Sequence, residues 1–577
     1  MVKSVASARR TQLVTTYGVG ALLPSMDESF MICGIDEWDL RNSTEVSEPR
    51  LARSLQVQTF RMPPSGPGDR RRDVPVIRFP ETYFCPNCRR LGPRSDFCAW
   101  DEHRCPDCAR DLSPSRFVVC CANGHTDEFP YFLWSHQGQG TVAGHERHQL
   151  KLTARGRTSS LADIEISCSC GIQPVSMAGS FGPRALERVT RCTGKRPWLA
   201  GAPDEDCDEL PRTLQRGSSN VWFGMLRSAL SIPPWSEGAF RLLDRHWPLL
   251  KGIPSDQLEQ VLDGMQIATL DAPVEALASA IRERRGESDT HVPTDEDLRA
   301  DEYNALVAGR PEQSASQQFV CAEVEVEPEL SDVVAQVSKV ARLREVRALE
   351  GFTRVLPPGP GMDPGRRARL TVSAPTWLPA IEVLGEGVFA RVHEDHLATW
   401  EATPFALARA AAIRDAATLS RAPTTGPVEE ILTSPRQLLL HSFAHILLNE
   451  LSLDAGYPAA SLRERIFAEP GQCGLLVYTA SADSAGSLGG LAAQAHSDRF
   501  TSVLLSAVRR AAWCSADPVC MESEASGNGA LNLAACHACL LLPETSCEKM
   551  NSYLDRATVV GLPGEEHQGF FGSLLLG

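Results

Sequence analysis

CSADPVCMESEASGNGALNLAACHACLLLPETSCEKMNSYLDR, residues 514–556, decides how the rest of the chain is read. Five cysteines fall within 34 residues. Cys536 and Cys539 form a Cys-x2-Cys knuckle; Cys520 lies sixteen residues before it and Cys547 eight after. A knuckle presents two sulfurs to one side, and two more from flanking loops complete a tetrahedron around Zn²⁺. Four thiolates close the coordination sphere, so such a site holds structure and leaves no position for water. The set expected here is Cys520, Cys536, Cys539 and Cys547, with Cys514 outside it. The competing reading is a group of buried, unligated cysteines.

The same pattern recurs near the other end. Cys85-x2-Cys88, sixteen residues, then Cys105-x2-Cys108 has the spacing and order of a zinc ribbon. Cys98 lies in its loop as a bystander. Farther on, Cys168, Cys170, Cys192 and Cys207 offer another four-sulfur set. Cys121 and His125 can join a metal site or serve the core. Cys33, Cys321 and Cys473 read as core.

A chain of 577 residues is too long for one core, and roughly three to five domains are expected. No run of 18 apolar residues occurs, so no membrane span is expected, and the N-terminus lacks the apolar segment of a signal peptide. Nineteen cysteines in knuckles without a secretion signal place the chain in a reducing cytoplasm. The net charge of −15 excludes a wholly basic nucleic-acid coat, not a local basic groove.

Candidate nucleic-acid contacts are few. Arg70, Arg71 and Arg72 form a cationic cluster in a Pro-Gly loop. Arg216, Asn220 and Trp222 mix a cation, an amide and an aromatic that can stack a base, or pack into a core. Arg344 and Arg347 fall, with Arg342, on what reads as a charged helix, either solvated or facing phosphate. In HSFAHILLNEL, His441 and His445 share a helical face, but Ser442 stands where a zincin needs its glutamate. Asp483, Ser484, Gly486, Gly489 and Gly490 sit at a strand-to-helix turn of the kind that takes ligands, or is simply a turn. There is no P-loop, no G-x-S-x-G elbow and no His-x-Lys pair, so no complete catalytic constellation is expected.

The C-terminal 120 or so residues resemble the domain that ends MrfA-type helicases and DrmB-family proteins of the DISARM anti-phage system. HSFAHILLNEL, LLVYTASADSAGSLGGL, CSADPVC and LNLAACHACLLLPETSCEKMNSYLDR carry this resemblance. QLVTTYGVGALL, CANGHTDEFP, RGSSNVWFGMLRSALSIP, RLREVRALEGFTRV and WLPAIEVLGEGVFARV extend the likeness to DrmB over nearly the whole chain. The lack of helicase motifs fits DrmB rather than MrfA. The resemblance implies a partner, the SF2-type helicase DrmA, together with DNA and other DISARM components. It maps the terminal ligands onto Cys520, Cys536, Cys539 and Cys547, and implies a phospholipase-D-like core whose His-x-Lys signature is missing here.

The expected architecture is therefore α+β and multidomain. It runs as a β-rich region (1–80), a zinc-binding region (81–235), a helical region (236–350), a linker with an α/β segment (351–433) and the C-terminal domain (434–577). The expected function is that of a non-catalytic zinc-binding subunit that assists a helicase on foreign DNA. The alternatives are a phosphodiesterase or nuclease using His441, His445 and Asp483, and a passive zinc scaffold.

Overall fold

PRQLLLHSFAHILLNELSLDA forms one helix, Pro435–Ala455. The Ser434 hydroxyl caps it by accepting from the Gln437 N–H at 3.1 Å, and Pro435 opens it where no amide donor is needed. Gly456 stops it in the left-handed region, at φ 71°. Residues 438–448 are all buried, without a gap. A helix with no polar face belongs inside a core, and this one organises the larger part of the molecule.

A computed structural model of the chain describes residues 5–25, 28–65, 74–97, 103–137, 148–154, 160–268, 272–287, 291–358, 362–420, 433–479, 490–524 and 531–576. It is a mixed α+β fold that divides into two units, each assembled from separated stretches. The first comprises Met1–Val46, Val57–Arg227 and Arg347–Ile381; the second, Ser47–Gln56, Ser228–Val346 and Glu382–Gly577. The divide falls inside three strands, so the boundary expected at 350 lies within a continuous element.

The second unit is built on a sheet with strand order Phe223–Leu230, Val334–Thr353, Trp377–Val392, Gly474–Thr479, Leu462–Phe467. Val388, Ala390, Leu475 and Val477 face the core that holds the long helix and helix Ser497–Ala511. Their neighbours Phe389, Leu476 and Tyr478 face a second core with Tyr303, Leu306 and Phe467. Because both faces are covered, GLLVYT is buried throughout and its run from Leu475 to Tyr478 does not alternate with polar residues. Helices Gly238–Leu250, Leu258–Met265 and Val274–Arg284 share a separate core around Leu243, Leu262, Leu277 and Ile281. Among the described residues, no helix is long and apolar enough to cross a membrane.

The stretch expected as a charged helix, VAQVSKVARLREVRALEGFT, is instead a 20-residue strand, Val334–Thr353. Its charges are not a solvated face; they pair across the fold. Arg344 bonds Glu382 at 2.6 Å and donates to the Ser47 carbonyl and the Ser231 hydroxyl. Glu345 lies 3.6 Å from Arg465. Arg465 is fully buried, and its guanidinium grips Glu302 through two bonds of 2.6 and 2.7 Å and Ser228 through two more.

The first unit carries several small sheets. One runs Val175–Ser176, Ile164–Cys168, Leu150–Ala154, Arg90–Pro93, Thr82–Phe84, Ser113–Pro114. Another runs Thr126–Glu128, Phe117–Cys120, Arg212–Gln215. Arg354 ties distant stretches together. It is fully buried, donates to the carbonyls of Gly20, Gly124 and Val221 at 2.8, 2.9 and 2.5 Å, and lies over the rings of Phe352 and Trp198.

Breaking a buried pair strands the remaining charge, which costs about 3–5 kcal/mol. Arg465→Met is therefore expected to lower the stability of the second unit by about that amount. Denaturant titration followed by circular dichroism measures it, with Arg342→Met, a partly exposed pair, as the mild control.

Candidate metal centres

Among the described residues, five groups of ligand-type side chains converge, the donor atoms of each lying within 4.8 Å of one another. The first is the N-terminal quartet, Cys85, Cys88, Cys105 and Cys108. Sulfur separations are 3.3 Å for Cys85–Cys108 and 3.7 Å for Cys88–Cys105. The two knuckles are built alike: Arg89 N–H donates to the Cys85 carbonyl, and Ala109 N–H to the Cys105 carbonyl. Arg89 and Ala109 both adopt left-handed backbone, at φ 66° and 52°. Non-glycine residues hold that conformation only where surrounding structure demands it. The neighbouring Cys85 thiol holds Cys108 down to about 6, so this quartet contains a ready thiolate.

The cysteines between 121 and 207 do not form the quartet expected from their order. Cys192 and Cys207 converge with Cys121 and His125; Cys168 and Cys170 converge with His136 and His148. Strand pairing explains the exchange. Cys120 ends strand Phe117–Cys120, the central strand of its sheet, so Cys121 and the tight turn to His125 begin where that strand leaves the sheet. Gly124 makes this turn at φ 82°, where an added Cβ would lie 2.6 Å from the Ala368 Cβ. Cys168 ends a strand of the other sheet and so points its Cys-x-Cys pair elsewhere.

His125 Nδ1 lies 3.4 and 3.6 Å from the Cys121 and Cys192 sulfurs. Its Nε2 bonds Glu205 at 2.8 Å, and Glu205 is held in turn by Arg196 at 2.6 Å. A carboxylate on the outer nitrogen fixes a ligand histidine's tautomer and orientation. Hydrogen bonding from Cys121, then from His125, pulls Cys192 down to about 4 despite burial. In the third group, His136 Nε2 sits 3.4 Å from Cys170, while its Nδ1 bonds the Phe132 carbonyl at 2.8 Å. Sequence reasoning missed His136 and His148; the available signal was that Cys168 and Cys170 lacked two donors.

Near the C-terminus the quartet is Cys514, Cys520, Cys536 and Cys539, with Cys514–Cys536 at 3.5 Å and Cys520–Cys539 at 3.7 Å. Cys514, expected to lie outside, is a member, because helix Ser497–Ala511 ends just before it and delivers it to the knuckle. Arg556 braces this turn through Asp517 and the Ala511 carbonyl. Cys547, expected as a member, lies instead 3.2 Å from His441 Nε2, in a fully buried group with His445 and Glu464.

The donor chemistry of all four thiol-rich groups fits Zn²⁺, which takes thiolate sulfur and imidazole nitrogen in closed tetrahedra. These residues would hold the ion, which would cross-link the segments that carry them. Cys33, Cys120, Cys321 and Cys473 are buried outside any group, and burial pushes Cys33 up to about 11 and Cys321 to about 12.

The expected nucleic-acid contacts fare differently. Arg70, Arg71 and Arg72 lie outside the described residues, as do Asp483, Ser484, Gly486 and Gly489. Trp222 does not offer an open face: it stacks on Phe352 at 6.1 Å and donates to the Val19 carbonyl. The Asn220 side chain accepts from Ser218, and its carbonyl from Val355 N–H. Arg216 is half-buried, and desolvation lowers its pKa. Arg344 and Arg347 are buried, so neither presents a cation to phosphate.

Comparison with known proteins agrees with this inventory. A family described as a domain of unknown function, DUF8724, matches residues 9–223, and the MrfA Zn-binding domain matches residues 443–540. The second span contains Cys514, Cys520, Cys536 and Cys539, and it excludes His441 and Cys547. DISARM protein DrmB of Bacillus paralicheniformis is 30% identical over 576 residues, covering 96% of this chain and 100% of the relative. Cys514→Ser is expected to cost one zinc equivalent by elemental analysis and to destabilise the second unit, since site formation and folding are coupled. With thiol-rich centres of this kind and similarity along its whole length, the chain belongs to the DrmB family of DISARM defence proteins.

Proposed function

We propose that this chain is a non-catalytic, zinc-built subunit of a DISARM complex. It associates with the SF2-type helicase DrmA in the cytoplasm and assists that helicase in binding, or loading on, foreign DNA. The observation that carries the reading is closure. Each thiol-rich group already brings four protein donors, and a hydrolytic zinc needs an open position. His441 and His445, the pair a nuclease would use, are fully buried and so cannot meet a phosphodiester. Membership in a multi-component defence family supports a role exercised through partners.

Two structural readings accompany it. Residues 85–108 are a zinc ribbon, supported by the paired knuckles beside short antiparallel strands. The C-terminal part of the second unit is a phospholipase-D-like core, as the family resemblance implies, without the His-x-Lys pair of that fold.

Titrating one duplex with the helicase alone and with the purified pair tests the role. The pair is expected to bind at least several-fold more tightly, with a steeper salt dependence from added phosphate contacts. Equal affinities would refute loading. Metal-dependent DNA cleavage by the pure chain, abolished by His441→Ala, would replace this reading with the nuclease.

A further inference from the structure

The fifth group stands apart from the thiol-rich centres. His441 and His445 come from successive turns of helix Pro435–Ala455, Glu464 from strand Leu462–Phe467, and Cys547 from a turn beyond the cysteine knuckle. All four are buried, three of them completely. The donors sit close together: His441 Nε2 is 3.1 Å from Glu464 Oε1 and 3.2 Å from the Cys547 sulfur, and His445 Nε2 is 3.4 Å from Glu464 Oε2. Ligands about 2.0–2.3 Å from zinc in a tetrahedron lie about 3.3–3.8 Å apart, and these separations come within about 0.2 Å of that range.

The outer nitrogens settle the tautomers. His441 Nδ1 bonds the Tyr553 carbonyl at 3.2 Å, and His445 Nδ1 bonds the Leu540 carbonyl at 2.8 Å. A carbonyl only accepts, so both rings carry their proton on Nδ1 and turn an Nε2 lone pair inward. Those lone pairs face a carboxylate, which also only accepts. His445 Nε2 and Glu464 Oε2 accordingly have no hydrogen-bond partner, although both are buried. Four electron-rich atoms aimed at one point need a positive centre. Protonating one ring would neutralise Glu464 but leave the other ring's Nε2 lone pair facing the carboxylate without a donor, and protonating both beside a neutral thiol would leave a net buried positive charge. One Zn²⁺ balanced by one carboxylate and one thiolate leaves none, and buried uncompensated charge is what interiors avoid.

We propose that His441, His445, Glu464 and Cys547 bind a further Zn²⁺, distinct from the ion of Cys514, Cys520, Cys536 and Cys539. Four protein ligands and full burial make it a structural ion. It fastens the core helix to the edge strand of the sheet and to the turn at Cys547. Two of its ligands lie outside residues 443–540, so it does not belong to the zinc centre of the matched domain. The proposal does not depend on the helicase reading.

Diffraction from crystals of the full chain, recorded on both sides of the zinc absorption edge, tests it without a variant. An anomalous peak between the four atoms is expected, alongside the peak at the cysteine quartet. A quartet peak with nothing at the second position would overturn the proposal in favour of an imidazolium–carboxylate cluster. A peak there with another metal's edge would overturn the zinc assignment. In solution, His445→Ala should lose one zinc equivalent while the cobalt-substituted protein keeps the thiolate charge-transfer band of the quartet. Unchanged zinc content in that variant would also overturn it.

Discussion

Convergence of thiolate and imidazole donors on shared points is the constraint on which the first unit depends. The strands that lie wholly within it are two to five residues long, too short to be stable by themselves. Cys121 and Cys207 meet across 86 residues, and closing a loop of that length costs about 4 kcal/mol before any contact forms. A structural zinc supplies about 10–16 kcal/mol. Ions can therefore add to the apolar cluster around Phe117, Phe129 and Ile166 in holding these short strands together. The second unit reverses this balance. There a two-sided sheet and a helix buried continuously from Leu438 to Leu448 provide the core, to which the candidate metal groups add.

What the sequence disclosed depended on distance along the chain. The knuckle at Cys85 and Cys88, its twin at Cys105 and Cys108, and the helix around His441 and His445 all announce themselves through local spacing. Cys121 and Cys207 do not, because their meeting is decided by where the turn after strand Phe117–Cys120 lies in the fold. The same holds for Cys514, whose place is set by the helix that precedes it. Order along the chain favoured Cys547, since nothing local shows that two histidines a hundred residues away are waiting for it.

The long strand Val334–Thr353 misled for a related reason. Its arginines and glutamates look like a solvated helix face because their partners Glu382, Glu312 and Arg465 come from elsewhere. Once those pairs form, each charge is a cross-link and its residue a poor guide to exposure. Arg354 shows the same logic without any acid at all, since three backbone carbonyls and two aromatic faces satisfy it.

Strand Leu462–Phe467 carries two opposite, fully buried charges on adjacent residues. Adjacent side chains leave a strand on opposite sides, so Glu464 meets the histidines while Arg465 meets Glu302. A slip of a single residue against Gly474–Thr479 would exchange the two sides. The acid would then face an acid, and the guanidinium would enter the nest of nitrogen and sulfur. Hydrophobic edge strands tolerate sliding, but this one cannot, and the alignment of the hairpin is written in the sign of its charges.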